Sequence, residues 1–588
     1  MMLKQTLVAV LLACITLISA GCGSGTPEAD VTYISTLAHS YLDPQRMSWL
    51  HDIRTARNLY EPLVKYDFVN YKVTPGVAEK WEVSDDELTY TFHLRKDAKW
   101  SNGDAVTSAD FVYAWRRAML PDQAASYSEL FFPIKGAKEF FSWRSEQTKQ
   151  FAKDYPGGSQ EVADKMWAET ETKFNELVGV KAPDANTVII ELKKPTPYYL
   201  ELIAFITYAP VHKTSVEAVT SINSDSGMVI TDSSYWSTPE MVVNNGPYQI
   251  KQRNFKQFLL MTANPHYWNK GAMKNQSLLE RIIENPETAL RTFEDPRENI
   301  DLWPDVPTSG SLAEMLVNSA QKGDRKDVHV VQAAGNYFYN FNCTAKTTEN
   351  GEPNPLLDAR VRRALAMSID RKYIVDRVTR LHEPIAKTFI PPHVMKDYNS
   401  PLDRGLTFDP EQAKTLLTEA GFPEGKNFPS LTLLYNTGSF HQQPAQAVVK
   451  MWEENLGIQV NLQGLEPKVF GDRLRRKDFE ISRASWFGDY PDPTTFLNKL
   501  AIDSNNNDTG WDNEQYNELL KQAANTIDVD KRMRLLEQAE GLMLEQAPMA
   551  QLFTWIQLRL YDENKVKGFK EQDNSWNTYD FYKIHVVK

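Results

Sequence analysis

The stretch that decides the fold is Gly76–Arg117, which reads GVAEKWEVSDDELTYTFHLRKDAKWSNGDAVTSADFVYAWRR. Apolar residues alternate with polar ones at Leu88, Tyr90, Phe92 and Leu94. This period of two predicts a strand with one buried face. Asn102-Gly103 indicates a turn, and Thr107 with Asp110 three residues later is typical of a capping box that begins a helix. The order strand, turn, helix is therefore predicted from this stretch alone.

Length and charge restrict the class of protein. A chain of 588 residues is too long for one ordinary core, so two or three lobes are expected. With 42% hydrophobic and 24% charged residues, the composition is that of a globular protein. The net charge of −12, with no cluster of Lys and Arg among aromatic residues, argues against nucleic acid as a partner. The 14 Trp, 25 Tyr and 27 Phe suit either an aromatic ligand cleft or a large core.

The N-terminus has the pattern of a targeting segment. Lys4 precedes a short apolar run from Leu7 to Ala20, which is too short to span a bilayer in the mature protein. The run ends in Ser19-Ala20-Gly21-Cys22, which resembles a bacterial lipoprotein cleavage box, although Ser19 stands where Leu is usual. We therefore predict a signal peptide at 1–21 and a lipidated tether at 22–30 that begins with Cys22. The alternative is ordinary secretion with cleavage just past Ala20. If Cys22 is acylated, Cys343 remains alone and no intramolecular disulfide forms.

The C-terminal half alternates helices and strands. Asp409-Pro410 begins a helical pattern that ends at Gly421, and Leu431–Tyr435 then reads as a strand. A second helical face at Val448, Trp452 and Leu456 is followed by another alternating strand. Helix and strand joined by short links predict an α/β fold with sheets covered by helices.

Five further segments are informative through their residues and through their order along the chain. They are Asn245-Gly246-Pro247-Tyr248, Asn264-Pro265-His266-Tyr267-Trp268, Gly335–Asn340, Asp358–Leu365 and Trp486–Pro493. Together with Gly76–Arg117 they resemble the solute-binding proteins of peptide ABC importers, the oligopeptide- and dipeptide-binding family. The resemblance implies an α/β, periplasmic-binding-protein-like clamp of type II-like form with three lobes. Lobe I would be discontinuous, with lobe II inserted and lobe III closing across a hinge. The implied ranges are 31–73, 249–340 and 557–588 for lobe I, 74–248 for lobe II and 341–556 for lobe III.

The resemblance also implies a peptide site. Asp489 would pair with the free α-amino group of a ligand, and the alternative is an Asp that shapes the turn before Tyr490-Pro491. Two extended segments would pair with the ligand's backbone. Their candidate residues are Glu61, Pro62 and Leu63 in one and Ser485, Trp486, Phe487 and Gly488 in the other. Pro62 has no N–H to donate, so one hydrogen bond would be missing there.

A cation would be needed for the ligand's carboxylate. The resemblance implies Arg483, Arg377 and His441, which are far enough apart in the chain to serve ligands of several lengths. On local sequence, Arg377 could equally lie on a solvated helix face, and His441 could cap a helix. Tyr127, Tyr337 and Trp486 would line the cleft or belong to the core.

Catalytic motifs are absent from the sequence. There is no HExxH, GxSxG, GxGxxG or Walker loop, and the 10 His show no metal-ligand spacing. Ser319-Ala320-Gln321-Lys322 matches SxxK, but no KTG follows. The resulting prediction is an exported, lipid-anchored monomer without cofactor or metal. It would bind short peptides and pass them to an ABC permease and its ATPase. The alternative is a receptor for murein peptide or another solute, such as a nickel complex, haem or a sugar, with a signalling or recycling role.

Overall fold

The computed structural model describes residues 26–39, 42–47, 49–125, 127–395, 397–438, 440–502, 504 and 506–587. The predicted signal peptide, Cys22 and the first part of the predicted tether lie outside the described residues. Within the described ranges, no helix is both long and apolar enough to cross a membrane.

The described chain contains both strands and helices. The strands are β1 Val31–Ser35, β2 Val64–Asp67, β3 Lys72–Pro75, β4 Ala78–Val83, β5 Thr89–Leu94, β6 Val180–Asp184, β7 Thr187–Glu191, β8 Thr220–Ile222, β9 Val229–Thr231, β10 Tyr248–Asn254, β11 Phe258–Ala263, β12 Ser277–Ile282, β13 Leu302–Val306, β14 Val328–Phe341, β15 Leu431–Asn436, β16 Val460–Leu465, β17 Ile481–Phe487, β18 Met549–Tyr561, β19 Val566–Lys567 and β20 His585–Val586. The α-helices are α1 Leu50–Leu59, α2 Ser108–Met119, α3 Ala137–Asp154, α4 Gln160–Leu177, α5 Tyr199–Ile203, α6 Lys213–Glu217, α7 Pro286–Glu294, α8 Gly310–Lys322, α9 Ala359–Met367, α10 Arg371–Tyr373, α11 Pro410–Glu419, α12 Gln442–Leu456, α13 Pro467–Arg475, α14 Thr494–Leu497, α15 Glu514–Ala524 and α16 Val529–Gln546.

One ten-stranded mixed sheet runs through the molecule in the order β10-β11-β12-β1-β13-β18-β14-β17-β15-β16. Its two long strands, β14 and β18, pair with each other in antiparallel fashion and continue from one half of the sheet into the other. β14 also pairs with β17, which joins the strands of the C-terminal region to the rest. The predicted lobe boundaries at 340/341 and 556/557 fall at the end of β14 and inside β18. The connection between the predicted lobes I and III is therefore a continuous pair of strands.

The deciding stretch folds as predicted. It forms β4, β5 and α2, and β4 and β5 belong to a separate four-stranded sheet of order β4-β5-β7-β6. The backbone N–H of Thr107 donates to Asp110 Oδ2 at 2.8 Å, which is half of the predicted capping box. Phe111 and Trp115 are fully buried on the inner face of α2.

The helix predicted between Asp409-Pro410 and Gly421 is confirmed as α11, and other helices of the C-terminal region have similar ends. Asp358, Asp370 and Asp409 each accept a backbone N–H in the first turn of a helix. Gly457 ends α12 with a φ of 69°, in the left-handed region that favours glycine. β15 and β16 then pair in parallel across α12, as expected for an α/β unit.

A contact between the second and third predicted lobes closes one side of the space between them. The rings of Tyr198 and Tyr490 stack with centroids 5.3 Å apart and an interplanar angle of 6°. The guanidinium of Arg532 lies near the Tyr198 ring, with its Cζ 5.4 Å from the centroid of that ring. The same guanidinium forms a buried pair with Asp492, at 2.7 Å to each carboxylate oxygen. A buried, bidentate pair of this kind holds the aromatic contact in one geometry.

Candidate functional site

A cavity of about 720 Å³ lies where all three predicted lobes meet. Its volume falls within the range of sites that enclose small-molecule or cofactor-sized ligands. The apolar part of the wall is rich in aromatic rings and includes Trp49, Leu50, Ile53, Phe205, Phe487, Trp555 and Trp576. The ionisable and hydroxyl groups that line it include Arg57, Tyr127, Glu201, Asp305, Arg483, Ser485 and Asp489. An apolar wall with a few convergent polar groups is the usual form of a binding site.

Asp489 follows the last residue of β17 and lies half-buried in the wall. Its position is fixed from two sides, because its N–H donates to Thr495 Oγ1 at 2.9 Å and its Oδ1 accepts from the Tyr127 hydroxyl at 3.2 Å. Loss of water on burial raises the pKa of this carboxyl to about 6, although the Tyr127 hydrogen bond opposes the shift. Within the described ranges, no basic side chain forms an ion pair with Asp489. The site thus contains a positioned carboxylate that lacks a counter-ion.

Glu201 is a second acid in the wall, and the sequence analysis missed it. It lies on the short helix α5, and burial raises the pKa of its carboxyl to about 7. The nearby charge of Asp492 acts in the same direction, and Arg532 opposes it. Glu201 and Asp489 are far apart in the sequence and fall in different predicted lobes, so only the folded chain brings these two acids with raised pKa values to one cavity.

The edge of β17 beside the cavity is open over most of its length. β14 pairs with β17 from Ile481 to Phe487, but β15 on the other side pairs only with Ile481 and Ser482. From Arg483 onward, the described chain contributes no strand to that edge. Arg483, Ser485 and Phe487 line the cavity. An extended ligand could therefore add to β17 as a further strand.

Trp486 lies on the other face of β17, as the period of two requires. Its Nε1 donates to Thr495 O at 2.8 Å, and its ring packs against the buried cluster that contains Phe338 and Phe496. The expectation that its side chain lines the cleft is not met, and the core alternative describes it. Gly488 does line the cavity, and its N–H donates to Ala334 O at 3.0 Å. A side chain at Gly488 would collide with Trp576, because an added Cβ would lie 2.7 Å from that ring.

Arg483 has a free guanidinium edge in the cavity. Its Nη1 is 3.4 Å from Asn436 Oδ1, and its Cζ lies 5.1 Å from the centre of the Tyr337 ring. Its Nε is buried and has no hydrogen-bond partner in the described part of the chain. No carboxylate of the described residues forms an ion pair with it. Arg483 is therefore a cation that is positioned by stacking and still able to bind an anion.

Tyr337 and His441 do not line the cavity, and both lie beside Arg483. Tyr337 is fully buried and stacks on Phe553 with centroids 4.8 Å apart. Burial, with the charge of Arg483, lowers the pKa of His441 to about 3. His441 is therefore neutral near pH 7, contrary to the prediction that it supplies a cation. The pKa of His441 is low because burial removes water from the ring and because Arg483 adds a positive charge nearby.

Arg377, a predicted cation, does not line the cavity, whereas Arg57, which was not predicted, does. Arg377 lies exposed on a π-helical turn at Ile374–Val378 and is not part of the wall, so the solvated-face alternative describes it. Arg57 is in the wall, with its Nη2 3.6 Å from Asp580 Oδ1. It shares one face of α1 with the cavity-lining Leu50 and Ile53. An arginine on the apolar face of a helix was the sequence signal that could have found it.

The segment Glu61–Leu63 does not face the cavity, contrary to the prediction. The Asn245 side chain accepts a hydrogen bond from the Glu61 backbone N–H at 3.0 Å and donates one to the Glu61 carbonyl oxygen at 2.9 Å. The carbonyl oxygens of Pro62 and Leu63 accept from Val77 and Gly76. The Glu61 carboxylate is buried and accepts from the side chains of Tyr267 and Trp268 at 2.5 Å each. These backbone and carboxylate groups are hydrogen-bonded within the fold and are not free to pair with a ligand. The exposed ring of Trp49, which precedes them in the chain, does line the cavity.

Comparison with known proteins identifies the family. Residues 72–508 match the middle region of the bacterial extracellular solute-binding proteins, family 5. The chain belongs to this family. It is 33% identical to the oligopeptide-binding protein OppA of Bacillus subtilis over 500 residues, which are 84% of this chain and 81% of that protein. It is 31% identical to the periplasmic murein peptide-binding protein MppA of Escherichia coli over 531 residues, covering 88% and 86%. The structure of Haemophilus influenzae OppA in complex with RPPGFSPFR matches with a TM-score of 0.69 and 26% identity, over 96% of this chain and 100% of that one.

Family membership confirms the periplasmic-binding-protein-like α/β fold and the prediction of a binding protein instead of an enzyme. It also identifies the chain as a solute-binding protein of an extracellular or periplasmic family. The SxxK match has a plain structural explanation, because Ser319 donates its hydroxyl to Met315 O within α8. Neither Ser319 nor Lys322 lines the cavity.

Replacing Asp489 with Asn is expected to stabilise the ligand-free protein above pH 6. The folded pKa of about 6 lies above the unfolded value, so the folded state holds the proton more tightly. The contribution of this group to stability is full below about pH 4 and is lost between about pH 4 and pH 6. Urea denaturation of Asp489→Asn should show a gain of at most about 3 kcal/mol at pH 7 that disappears near pH 4.

The control is Asp403→Asn, which removes a charge from an exposed side chain outside the cavity. It should leave the pH dependence unchanged. Parallel stability curves for wild type and Asp489→Asn across this pH range would contradict the assignment.

Proposed function

We propose that this chain captures short peptides outside the cytoplasmic membrane and delivers them to an ABC permease that is powered by a separate ATPase. The observation that carries the proposal is the Asp489 carboxylate, which is positioned by Tyr127 and Thr495 and has no counter-ion among the described residues. An enclosed carboxylate of this kind is best stabilised by a cation that arrives with the ligand.

The α-amino group of a peptide fits this place. An ammonium group donates up to three hydrogen bonds, and a charge-assisted bond to a carboxylate is among the strong hydrogen bonds in proteins. A cationic ligand would also lower the pKa of Asp489, because an opposite charge favours the ionised carboxylate. Binding of a free amino terminus should therefore be tightest above about pH 6, where Asp489 is already ionised.

The open edge of β17 supports main-chain recognition. Its free groups from Arg483 to Phe487 lie beside Asp489, so a ligand whose amino end is at Asp489 can run along this edge. Pairing of this type reads the peptide backbone and leaves side chains to the surrounding wall. A wall rich in aromatic rings contacts many side chains without a specific hydrogen-bond pattern, so we expect tolerance of sequence.

Arg483 is the proposed partner for the carboxylate of the ligand. It lies on the same strand as the open edge, and the Nε of its guanidinium has no hydrogen-bond partner among the described residues. Arg57 is a second cation in the wall, although Asp580 already balances part of its charge. Two cations at different places would serve carboxylates of ligands that differ in length.

Murein peptide is the second candidate ligand, because identity to MppA is nearly as high as identity to OppA. Native mass spectrometry of the purified protein identifies the ligands that remain bound to it. Masses of ordinary peptides would support the first candidate, and masses of murein fragments would support the second.

Replacing Asp489 with Asn should weaken binding of tri-alanine by about 2–4 kcal/mol, because the ligand's ammonium loses its counter-ion. This is roughly a 30- to 1000-fold increase in Kd by calorimetry. N-acetyl-tri-alanine should bind weakly to wild type and to Asp489→Asn alike, since it carries no ammonium. Asp403→Asn is the control and should bind as wild type does. Equal affinity of wild type for free and acetylated peptides would overturn the assignment of Asp489.

Replacing Arg483 with Met should weaken peptides with a free carboxylate and leave C-amidated peptides nearly unaffected. The loss for the free acid is expected to be about 1–3 kcal/mol, because a charge-assisted pair is removed. The matched control is Arg377→Met, which removes an exposed arginine outside the wall. If amidated and free peptides lose the same affinity in Arg483→Met, the carboxylate is bound elsewhere.

We also propose that the chain is anchored to the membrane by lipid on Cys22, a residue outside the described ranges. Wild type extracted from membranes should be heavier than its processed sequence by the mass of the diacylglyceryl and acyl groups on Cys22. Cys22→Ser should lack this mass, whereas Cys14→Ser should keep it. Membrane-extracted wild type of unmodified mass would exclude the anchor.

A further inference from the structure

A cluster of four buried side chains lies on the far side of α1 from the cavity. It consists of His39, His51, Asp52 and Glu280. His51 is 8% exposed, Asp52 is fully buried, and neither lines the cavity. His39 follows β1, Glu280 is on β12, and the other two are in the first turn of α1. The cluster thus joins the start of a cavity-lining helix to the main sheet.

The donor atoms of three of these residues have the spacing of metal ligands. His39 Nδ1 lies 3.1 Å from Asp52 Oδ1, and His51 Nε2 lies 3.4 Å from the same oxygen. One ligand atom from each residue falls within 4.8 Å of the others. A tetrahedral ion with bonds of about 2.0–2.1 Å separates neighbouring ligand atoms by about 3.4 Å. The three side chains could therefore bind one ion with little rearrangement.

Two buried atoms of the cluster lack a hydrogen-bond partner in the described part of the chain. His51 Nε2 and Asp52 Oδ2 are buried, and neither has a hydrogen-bond partner among the described residues. Buried polar atoms without partners are costly, and the usual explanation is an ion, a water or a functional role. A bound cation would satisfy both atoms at once.

Glu280 adds the feature that distinguishes a metal site from a chance contact. Its Oε2 lies 2.8 Å from His39 Nε2 and so can accept a hydrogen bond from the N–H of that nitrogen. This leaves Nδ1 of His39 directed at Asp52 and available as a ligand. A carboxylate that holds the far nitrogen of a ligating histidine is the common outer partner in zinc sites.

We propose that His39 Nδ1, His51 Nε2 and the Asp52 carboxylate bind one divalent transition-metal ion of the zinc class, with Glu280 orienting His39. Two imidazoles and a carboxylate suit this class of ion better than Mg²⁺ or Ca²⁺, which prefer oxygen ligands alone. The fourth position is filled by Asp52 Oδ2 or by a water. The ion is structural and takes no part in contact with the transported ligand.

The consequence for the fold concerns α1. Its N-cap, Trp49, makes no side-chain capping hydrogen bond, so the helix start lacks the usual stabilisation. An ion held by His51 and Asp52 would fix this first turn to the sheet. The opposite face of α1 carries Leu50, Ile53 and Arg57 in the cavity wall. The ion would therefore set the position of one wall of the cavity.

The test uses the full chain, dialysed against EDTA, reloaded with ZnCl₂ and desalted. Elemental analysis should find about one zinc ion per chain, and Tm should rise with zinc concentration because the ion binds the folded state. Co²⁺ in place of zinc should give the visible d–d bands of a tetrahedral site. His51→Leu and Asp52→Asn should lose the retained zinc, the Tm rise and the bands.

The matched control is His93→Leu. His93 Nε2 lies 3.2 Å from Glu82 Oε1, so it forms an exposed histidine–carboxylate pair without a second imidazole. This variant should retain zinc as wild type does. His51→Leu should fold, because His51 Nε2 makes no hydrogen bond that the substitution would break. Circular dichroism of both cluster variants without metal checks this. Wild type that retains no zinc, or a folded His51→Leu that retains as much as wild type, would overturn the proposal.

Discussion

The pairing of β14 with strands on both sides is the constraint on which the rest of the structure depends. β14 joins β18 on one edge and β17 on the other, and its register with β17 sets where β17 ends. Its pairing with β18 shifts register between Gln332 and Asn336, close to Gly335, where pairing with β17 begins on the other edge. The buried amide of Asn336 stabilises this point, because it donates to Thr388 O and Phe389 O and accepts from Thr554. Asp489 and the open edge of β17 have their positions because β14 has this register.

The electrostatics of the cavity follow from which charges the fold has already paired. Asp492 forms an ion pair with Arg532, and the Glu61 carboxylate accepts hydrogen bonds from Tyr267 and Trp268. Neither carboxylate therefore needs a ligand as its partner. Asp489 and Arg483 lack such partners among the described residues, and both face the cavity. Because burial makes an unpaired charge costly, the charges left without partners mark where a zwitterion would bind.

The sequence predicted the local structure well and the site in part. The strand, turn and capped helix of Gly76–Arg117 depend on neighbouring residues only, and all three formed where expected. The family resemblance gave the binding-protein class, and it assigned roles to Asp489 and Arg483 that the cavity is consistent with. Glu61–Leu63 was misplaced because a segment's extended form does not reveal which backbone groups the fold occupies. Glu201, Arg57 and the His39 cluster were missed since each depends on contacts between residues far apart in the chain.

The stack of Tyr198 on Tyr490 has a kinetic consequence. These rings, together with the hydrogen bond from Tyr127 to Asp489, join residues 74–248 to residues 341–556 beside the cavity. Where a ligand can leave only once this contact separates, part of the barrier to release belongs to two rings and a hydroxyl outside the ligand itself. The dwell time of different ligands would then vary less than their affinities, because the rate of ligand release would depend largely on how fast this contact separates.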